Sequence, residues 1–579
     1  MGFFSSVDSL QEKRYLDVCN QFHAELTQLK SLVEQDKHGV KVKLQILSCR
    51  RNLKKNDFWY RYLQPIWYKK LNAPLPIEWE TEVFEKWEKP YKREGAGLTL
   101  LEIAIEENTA ETEALIDPSI QALEAYQSDT IRKLIRQQHN FYFANRLFLL
   151  NLATIYTTGF ECPEGRRVIS ELTEMMTATR DIYLTHNQSF PKHALPDDYI
   201  SLYGSAQEFV RRGTQDIEDF DHYTFIRNFV NPLFARNQEL IDSFNFISTS
   251  LNDFSLNNVA RTIFQKDLYQ GQENLGVFKG LNEKDQELLR DIGRKLFNDP
   301  ILSINNQRSC GSCHKADKLF ADVGNQKSIQ LDKVSPLERN TPSLINALTN
   351  HLLTLDGRQI DPLDQVSEVV QNPIEMGITE EQLFDKVLSV KYYKKNLRRL
   401  ASKSIYDDLS VKHIYSALVA YYSSFDNAVS SFDNQMNGIE NVDSEVVKGF
   451  NVFMGKAECG TCHFAPHFNG VKPPYVGSEF EVLGVPEDTV FSALSQDNGR
   501  GDVLDVVEMQ NAFRTPTLRN VSKTGPYMHN GVFGTLEQVI DFYNKGGGVG
   551  HGLIVQNQTL NSEELNLSKY EVKSLIVFL

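Results

Sequence analysis

Leu26, Leu29, Leu32 and Val33 recur at intervals of three and four, the spacing that gathers apolar side chains on one face of an α-helix. Ile131, Leu134 and Ile135 repeat the pattern. Leu98, Leu100 and Leu101 lead into Glu102-Ile103-Ala104-Ile105-Glu106-Glu107, a stretch of strong helix formers. Residues 1 to about 260 therefore read as helical, with Asp117-Pro118 and Phe190-Pro191 marking loops. Trp59, Trp67, Trp79 and Trp87 all fall in this half and read as core or interface anchors. The texture changes near residue 270. Asn282-Glu283-Lys284-Asp285 is a helix start, followed by Leu288, Leu289, Ile292 and Leu296 on one face. Val446, Val447, Phe450 and Phe453 draw a second such face. Each of these two helices runs into a loop that carries a cysteine pair. Tyr570 to Leu579 closes the chain as an apolar helix, and Gly and Pro cluster at 470–486 and 544–552 as irregular loops. The pattern predicts a mainly α chain: an all-helical N-terminal domain, then two similar small helical domains.

At 579 residues the chain exceeds one ordinary core. We divide it into 1–265, 275–440 and 441–579. With 41% hydrophobic and 24% charged residues, the composition is that of a globular protein. The net charge of −15 argues against nucleic acid as a partner; it suits a basic protein partner or plain solubility. No segment approaches transmembrane length. Met1-Gly2-Phe3-Phe4-Ser5-Ser6 lacks the basic and long apolar regions of a secretory signal.

The candidate chemistry lies in the two loops. Cys310-Gly311-Ser312-Cys313-His314 and Cys459-Gly460-Thr461-Cys462-His463 both spell Cys-x-x-Cys-His, the spacing that attaches a c-type haem. Each cysteine pair can form thioethers to the porphyrin, and the adjacent histidine can bind iron. A zinc site expects a second pair roughly 15–20 residues away, and a redox dithiol has no need of the histidine. Here the pairs lie far apart. Cofactors of this type are attached outside the bacterial cytoplasmic membrane. The expected location is therefore the periplasm or the outer face of a membrane, with a signal or lipid-anchor segment removed. Cys19, Cys49 and Cys162 remain as small buried side chains.

Residues from about 275 onward resemble the bacterial di-haem cytochrome c peroxidase family, which includes MauG. The likeness rests on ordered motifs: Arg339-Asn340-Thr341-Pro342-Ser343-Leu344-Ile345-Asn346-Ala347, Leu355-Asp356-Gly357-Arg358, Gln365, and Gln371-Asn372-Pro373-Ile374-Glu375-Met376-Gly377. Ala417-Leu418-Val419-Ala420-Tyr421 to Phe432-Asp433 fits the family's helix between the haem domains. Arg514-Thr515-Pro516-Thr517-Leu518-Arg519-Asn520 and Gly525-Pro526-Tyr527-Met528-His529-Asn530-Gly531 follow the second motif. The resemblance implies two cytochrome c-like domains facing each other, with His314 and His463 as the axial ligands of two covalently bound haems c. It places Glu375 and Gln365 on the distal side of the first haem, Glu375 moving a proton between the peroxide oxygens and Gln365 orienting them. It implies one calcium ion between the haem domains, held by Asn340, Thr524 and Pro526. The segment with Tyr62-Leu63-Gln64-Pro65 and Glu94-Gly95-Ala96-Gly97-Leu98 loosely resembles imelysin-like helical extensions; its role stays open.

Three positions decide between members of the family. Lys315 to Glu338 contains no histidine, where many members supply one to plug the first iron; that iron is expected to be open without prior reduction. Leu355 stands where the family usually has a tryptophan between the haems. At the second iron the family's distal methionine position falls on Tyr543, and MauG has tyrosine there. A phenolate favours ferric iron and a thioether ferrous iron. Met528, Met509, His467 and His551 are rival ligands, whereas His529 is expected to hydrogen-bond near the haem. His351 and His413 read as ordinary histidines. The leading function is a peroxidase reducing hydrogen peroxide to water, with electrons passed through the second haem from a small cytochrome c or cupredoxin. One alternative is a MauG-like enzyme oxidising a protein or small-molecule substrate. The other is a non-enzymatic di-haem carrier or redox sensor. Whether two copies pair as a homodimer stays open.

Overall fold

The computed structural model describes residues 10–579 apart from 76, 81–89, 109–111, 163, 215, 251–252, 254–255, 266, 270–274, 407, 426–429 and 473–479. Trp87 and part of the 470–486 loop lie outside the described residues.

The first helix, Leu10–Asp36, buries Tyr15, Cys19, Phe22, Leu26, Leu29 and Val33 along one face. It packs on the helices Val40–Leu63 and Gly165–Ser189. Cys19, Cys49 and Cys162 are buried free thiols. Asp117-Pro118 is not a loop: it opens the helix Asp117–Tyr126, where proline in the first turn forfeits no hydrogen bond. Phe190-Pro191 does break the chain, between the helix Gly165–Ser189 and a 3-10 turn at Pro191–His193. A short hairpin pairs Ile77–Glu80 antiparallel with Tyr91–Glu94, and carries Trp79. Strands of four residues are too short for alternation to announce them.

The two cysteine motifs sit in similar surroundings. Ahead of the first, the helix Glu283–Phe297 is capped by Asn282, whose side chain accepts from Asp285 N at 3.0 Å. Ahead of the second runs the helix Ser444–Met454. Each is crossed by a later helix, Val411–Tyr422 for the first and Lys569–Phe578 for the second. Each crossing falls on a glycine. A Cβ on Gly293 would lie 1.8 Å from Ala417 O, and one on Gly449 would lie 2.1 Å from Ser574 O. Only a residue without a side chain lets the backbones approach this closely. Ala417–Tyr421 and Phe432-Asp433, expected on one helix, lie on two, Val411–Tyr422 and Ser431–Met436. Ser430 starts the second helix: its Oγ accepts from Asp433 N at 3.1 Å, and Asp433 accepts from Ser430 N at 2.9 Å.

The apolar interior falls into two large bodies. One, from Val277 to Phe425, surrounds the first motif. The other joins the N-terminal helices to Phe450, Phe453, Met454, Phe464, Phe468 and Leu575 around the second motif. Polar contacts follow this junction: Asn231 donates to Met436 O at 3.1 Å, and Asn451 donates to Asp221 at 3.0 Å. Among the described residues no helix is long and apolar enough to cross a membrane.

Candidate haem centres and catalytic site

Cys310–Ser312 and Cys459–Thr461 each form a single 3-10 turn. The next turn brings His314 N to Cys310 O and His463 N to Cys459 O, both at 2.9 Å. After His314 the chain doubles back through Leu319 and Phe320, whose φ angles of 56° and 55° are left-handed. That reversal aims the Phe320 carbonyl at His314 Nδ1, 2.9 Å away. His463 Nδ1 meets the carbonyls of Phe468 and Pro516, each at 3.1 Å. A carbonyl only accepts, so Nδ1 carries the proton in both rings and Nε2 keeps its lone pair for a metal. Burial lowers both imidazoles, His463 to about 4.

The surroundings fit a covalently attached haem at each motif. Burial pushes the Cys310 and Cys459 thiols up to about 12, so both stay neutral. Among the described residues the buried Tyr422 hydroxyl has no hydrogen-bond partner, and Cys310 is one of the groups that raise its pKa. His467 Nε2 and Tyr269 Oη, near the second motif, are likewise buried without partners. Buried polar atoms in a folded chain are nearly always satisfied. A bound cofactor with carboxylates and metal would satisfy such groups. Against Gly460 of the second motif lies Thr158 of the N-terminal region, its Cγ2 3.5 Å from where a Cβ would sit. Phe160 meets Phe464 edge-on at 5.5 Å.

Glu375 sits in a tight turn. Glu375 N and Gly377 N donate to Asn372 O at 3.0 and 2.9 Å, and Gly377 takes a φ of 62°. The flanking carbonyls are held from outside, Ile374 O by Leu331 N at 2.8 Å and Met376 O by Ile304 N at 3.0 Å. Leu331 belongs to the histidine-free segment Lys315 to Glu338, which thus braces this turn. Burial raises the Glu375 carboxyl above its ordinary range; a hydrogen bond from Asn372 Nδ2, at 2.9 Å, opposes the rise. After desolvation and nearer neighbours, the Glu375 charge also pushes the Cys310 and Cys313 thiols upward, so the carboxyl lies near the first motif. Gln365 is half-buried on the helix Pro362–Gln371. Among the described residues no hydrogen bond joins it to Glu375.

Tyr543 packs against Val485, Val532, Phe533 and Phe542 beside Met528. Burial raises its phenol, and Cys462 and Cys459 contribute next, which places it near the second motif. Of the rivals, Met528 shares this cluster and His467 Nε2 is buried near the second motif. Met509 packs with Val482 and Ala512, and His551 stacks on Phe491 at 3.7 Å. His529 Nε2 lies 3.0 Å from Ser495 Oγ, and its ring stacks on Phe513 at 3.8 Å. His413 bonds Ser410 N at 3.1 Å through Nδ1. Asn340 and the 524–529 loop come together: Asn340 N donates to His529 O at 2.7 Å, and Asn340 Nδ2 donates to Gln326 O at 3.0 Å. Gly324 N, from the same side, donates to Gly525 O at 3.2 Å, between Thr524 and Pro526.

Sequence motifs alone do not point to Asn372, Tyr422 or Arg308, whose charge opposes the rise of Glu375. Asn372 does stand inside a quoted motif, and its spacing to Glu375 is that of a side chain closing its own turn. Nothing in the sequence singles out Tyr422 or Arg308.

The family described as di-haem cytochrome c peroxidase matches residues 288–441. The methylamine utilization protein MauG of Methylorubrum extorquens is 28% identical over 291 residues, 50% of this chain and 76% of that protein. Cytochrome-c peroxidase IdrP2 of Denitromonas iodatirespirans is 30% identical over 315 residues, 50% of this chain and 80% of that protein. Among solved structures, a MauG-like protein associated with microbial copper homeostasis is 24% identical with a TM-score of 0.46, over 54% of this chain and 94% of its own. With 30% identity across four-fifths of such a relative, and with both haem-attachment motifs built as described, the chain belongs to the di-haem cytochrome c peroxidase family of oxidoreductases, which also holds the MauG proteins.

Proposed function

We propose that this chain reduces hydrogen peroxide to water at the first motif. The observation that carries the reading is Glu375: a carboxyl in a braced turn, its pKa raised by burial, whose charge reaches the Cys310 and Cys313 thiols. Cys310, Cys313 and His314 would hold a haem, which would supply the iron and the redox chemistry. The chain supplies the rest. Glu375 takes a proton from the near oxygen and returns it to the departing one, and Gln365 orients the peroxide by hydrogen bond. Two electrons and two protons convert one peroxide into two waters. The absence of histidine from Lys315 to Glu338 supports a first iron that is open from the start.

Cys459, Cys462 and His463 would hold a second haem, which would supply a route for electrons from a small cytochrome c or cupredoxin at the periplasmic or outer face of a membrane. Asn340, Thr524 and Pro526 would hold a calcium ion between the two haem domains, 275–440 and 441–579. A second reading rests on Tyr543, whose phenol is raised by burial and then by Cys462 and Cys459: it would hold the iron of the second haem, which would then supply the oxidising power for a protein or small-molecule substrate.

Stopped-flow mixing of the fully oxidised protein with hydrogen peroxide tests the proposal. A rapid change of the haem absorbance before any reductant is added, with consumption of peroxide, is the expected result. No change until one electron is supplied would remove the open first iron. Two low-spin ferric haems in the electron paramagnetic resonance spectrum would favour a carrier instead.

A further inference from the structure

Arginines gather at the seam between the two haem-motif regions. Arg339 holds Asp497 through two hydrogen bonds, at 2.7 and 2.8 Å, and shares Asp356 with Arg358. Arg358 also reaches Glu368 at 3.3 Å. Arg500 donates to Gly357 O at 2.7 Å. Arg514 lies among them. Its backbone N donates to Leu355 O at 2.8 Å, and Phe480 pairs with it across a two-residue ladder. Two residues on, the Pro516 carbonyl meets His463 Nδ1, which puts Arg514 on the wall of the second centre.

Among the described residues the Arg514 side chain has one bonded partner, Thr354 O at 3.1 Å from Nε, and its Nη1 is buried with none. No carboxylate among those residues forms an ion pair with it. Asp356, the anion that acts on it, is already taken by Arg339 and Arg358. Burial pushes the guanidinium down to about 10. A buried cation without a counter-ion costs several kcal/mol as a rule, and a planar guanidinium binds a carboxylate through two parallel hydrogen bonds.

We propose that Arg514 is the receptor for a haem propionate, holding that carboxylate at the seam between the two haem centres. The inference rests on the haem reading of the two motifs, not on the peroxide chemistry. Either haem offers the same carboxylate, and the test separates them.

The experiment uses the mature protein with both haems attached. Arg514→Gln removes the charge, and Arg514→Lys keeps it without the two-pronged geometry. Spectroelectrochemical titration reads each haem separately, and infrared redox-difference spectra read the propionate carboxylate. The reduction potential of one haem should fall in Arg514→Gln and largely recover in Arg514→Lys, since an adjacent positive charge favours the ferrous form. The haem whose potential moves owns the propionate. The carboxylate band of that haem should shift in both variants, so Arg514→Lys carries the test alone if Arg514→Gln fails to mature. Unchanged potentials and an unchanged carboxylate band would overturn the proposal. A protein that fails to react with peroxide yet shows these shifts would leave it standing.

Discussion

Asn372 and Glu375 face each other across one turn, with Asn372 Nδ2 donating to Glu375 Oε1 at 2.9 Å. The bond holds the carboxyl in place and restrains the rise in pKa that burial imposes. In the proposed role Glu375 must be ionised to accept a proton from peroxide. The reaction should therefore fail as pH falls through the raised pKa, an acid limb above the usual carboxylate range. Glu375→Gln should slow the peroxide step by roughly 10²–10⁴-fold, the usual contribution of general acid–base catalysis. Stopped-flow rates measure it, and an unchanged rate would take Glu375 out of the mechanism.

Asn372→Asp keeps the acceptor that closes the turn and replaces the donor with a second carboxylate. Both changes raise the Glu375 pKa further. The acid limb of the pH–rate profile should move to higher pH, with the plateau little altered. A profile that stays in place would mean that Glu375 does not set the limb.

Much of this was legible in the sequence, for identifiable reasons. A haem motif is contiguous, so Cys310, Cys313 and His314 declare themselves, as do Cys459, Cys462 and His463. Asn282 before Glu283-Lys284-Asp285 announces a capped helix because capping is local. Asp117-Pro118 misled because proline both breaks helices and opens them, and the two cases look alike until the following turn is seen. The hidden features are non-local. The Tyr422 hydroxyl and the Arg514 guanidinium acquire meaning only from what the fold brings, or fails to bring, beside them. The shared interior of the N-terminal helices and the second motif has no sequence trace either: Phe160 and Phe464 are 304 positions apart (464 − 160) and meet edge-on.

That shared interior predicts how the molecule unfolds. Phe453, Phe464 and Phe468 belong to the same apolar body as the N-terminal helices, whereas Val277 to Phe425 forms its own. Calorimetry with haem circular dichroism should resolve two transitions, the N-terminal helices melting together with the second haem. Deleting 1–265 should leave the second haem without a stable pocket. A deletion variant with a native second-haem spectrum would contradict it.

Gly293 and Gly449 should tolerate no side chain. A methyl group at Gly293 would meet Ala417 O at 1.8 Å, and one at Gly449 would meet Ser574 O at 2.1 Å. Backbone carbonyls cannot swing aside as side chains do, so either alanine substitution should cost roughly 1–3 kcal/mol or more, the range of overpacked cores. Gly293→Ala should lower only the transition that carries the first haem, and Gly449→Ala only the other. Loss of both transitions together in either variant would refute the separation of the cores.

Tyr543→Met tests the second centre. If the phenolate holds that iron, a thioether in its place should raise the potential by a sizeable part of the roughly 0.8 V over which axial ligands tune haem. Spectroelectrochemistry reads the change. A second haem of unaltered potential and spectrum would hand the ligand role to another residue, and Met528, in the same apolar cluster, is the first to examine.

His222 gives the N-terminal helices a pH dependence of definite sign. It is fully buried, and desolvation lowers its pKa to about 4, against opposing pulls from the Ile217 backbone and Asp221. The unfolded chain, with histidine near its ordinary value of about 6.5, binds the proton more readily. Stability should therefore fall as pH drops from about 6.5 to about 4. The gap between those two values corresponds to a loss of up to roughly 3 kcal/mol from this group alone. Urea unfolding of the N-terminal transition at pH 7, 6 and 5 measures the slope. His222→Phe keeps a buried ring and removes the titration, so its slope should be shallower by close to one proton, and equal slopes would show that His222 is not the group responsible.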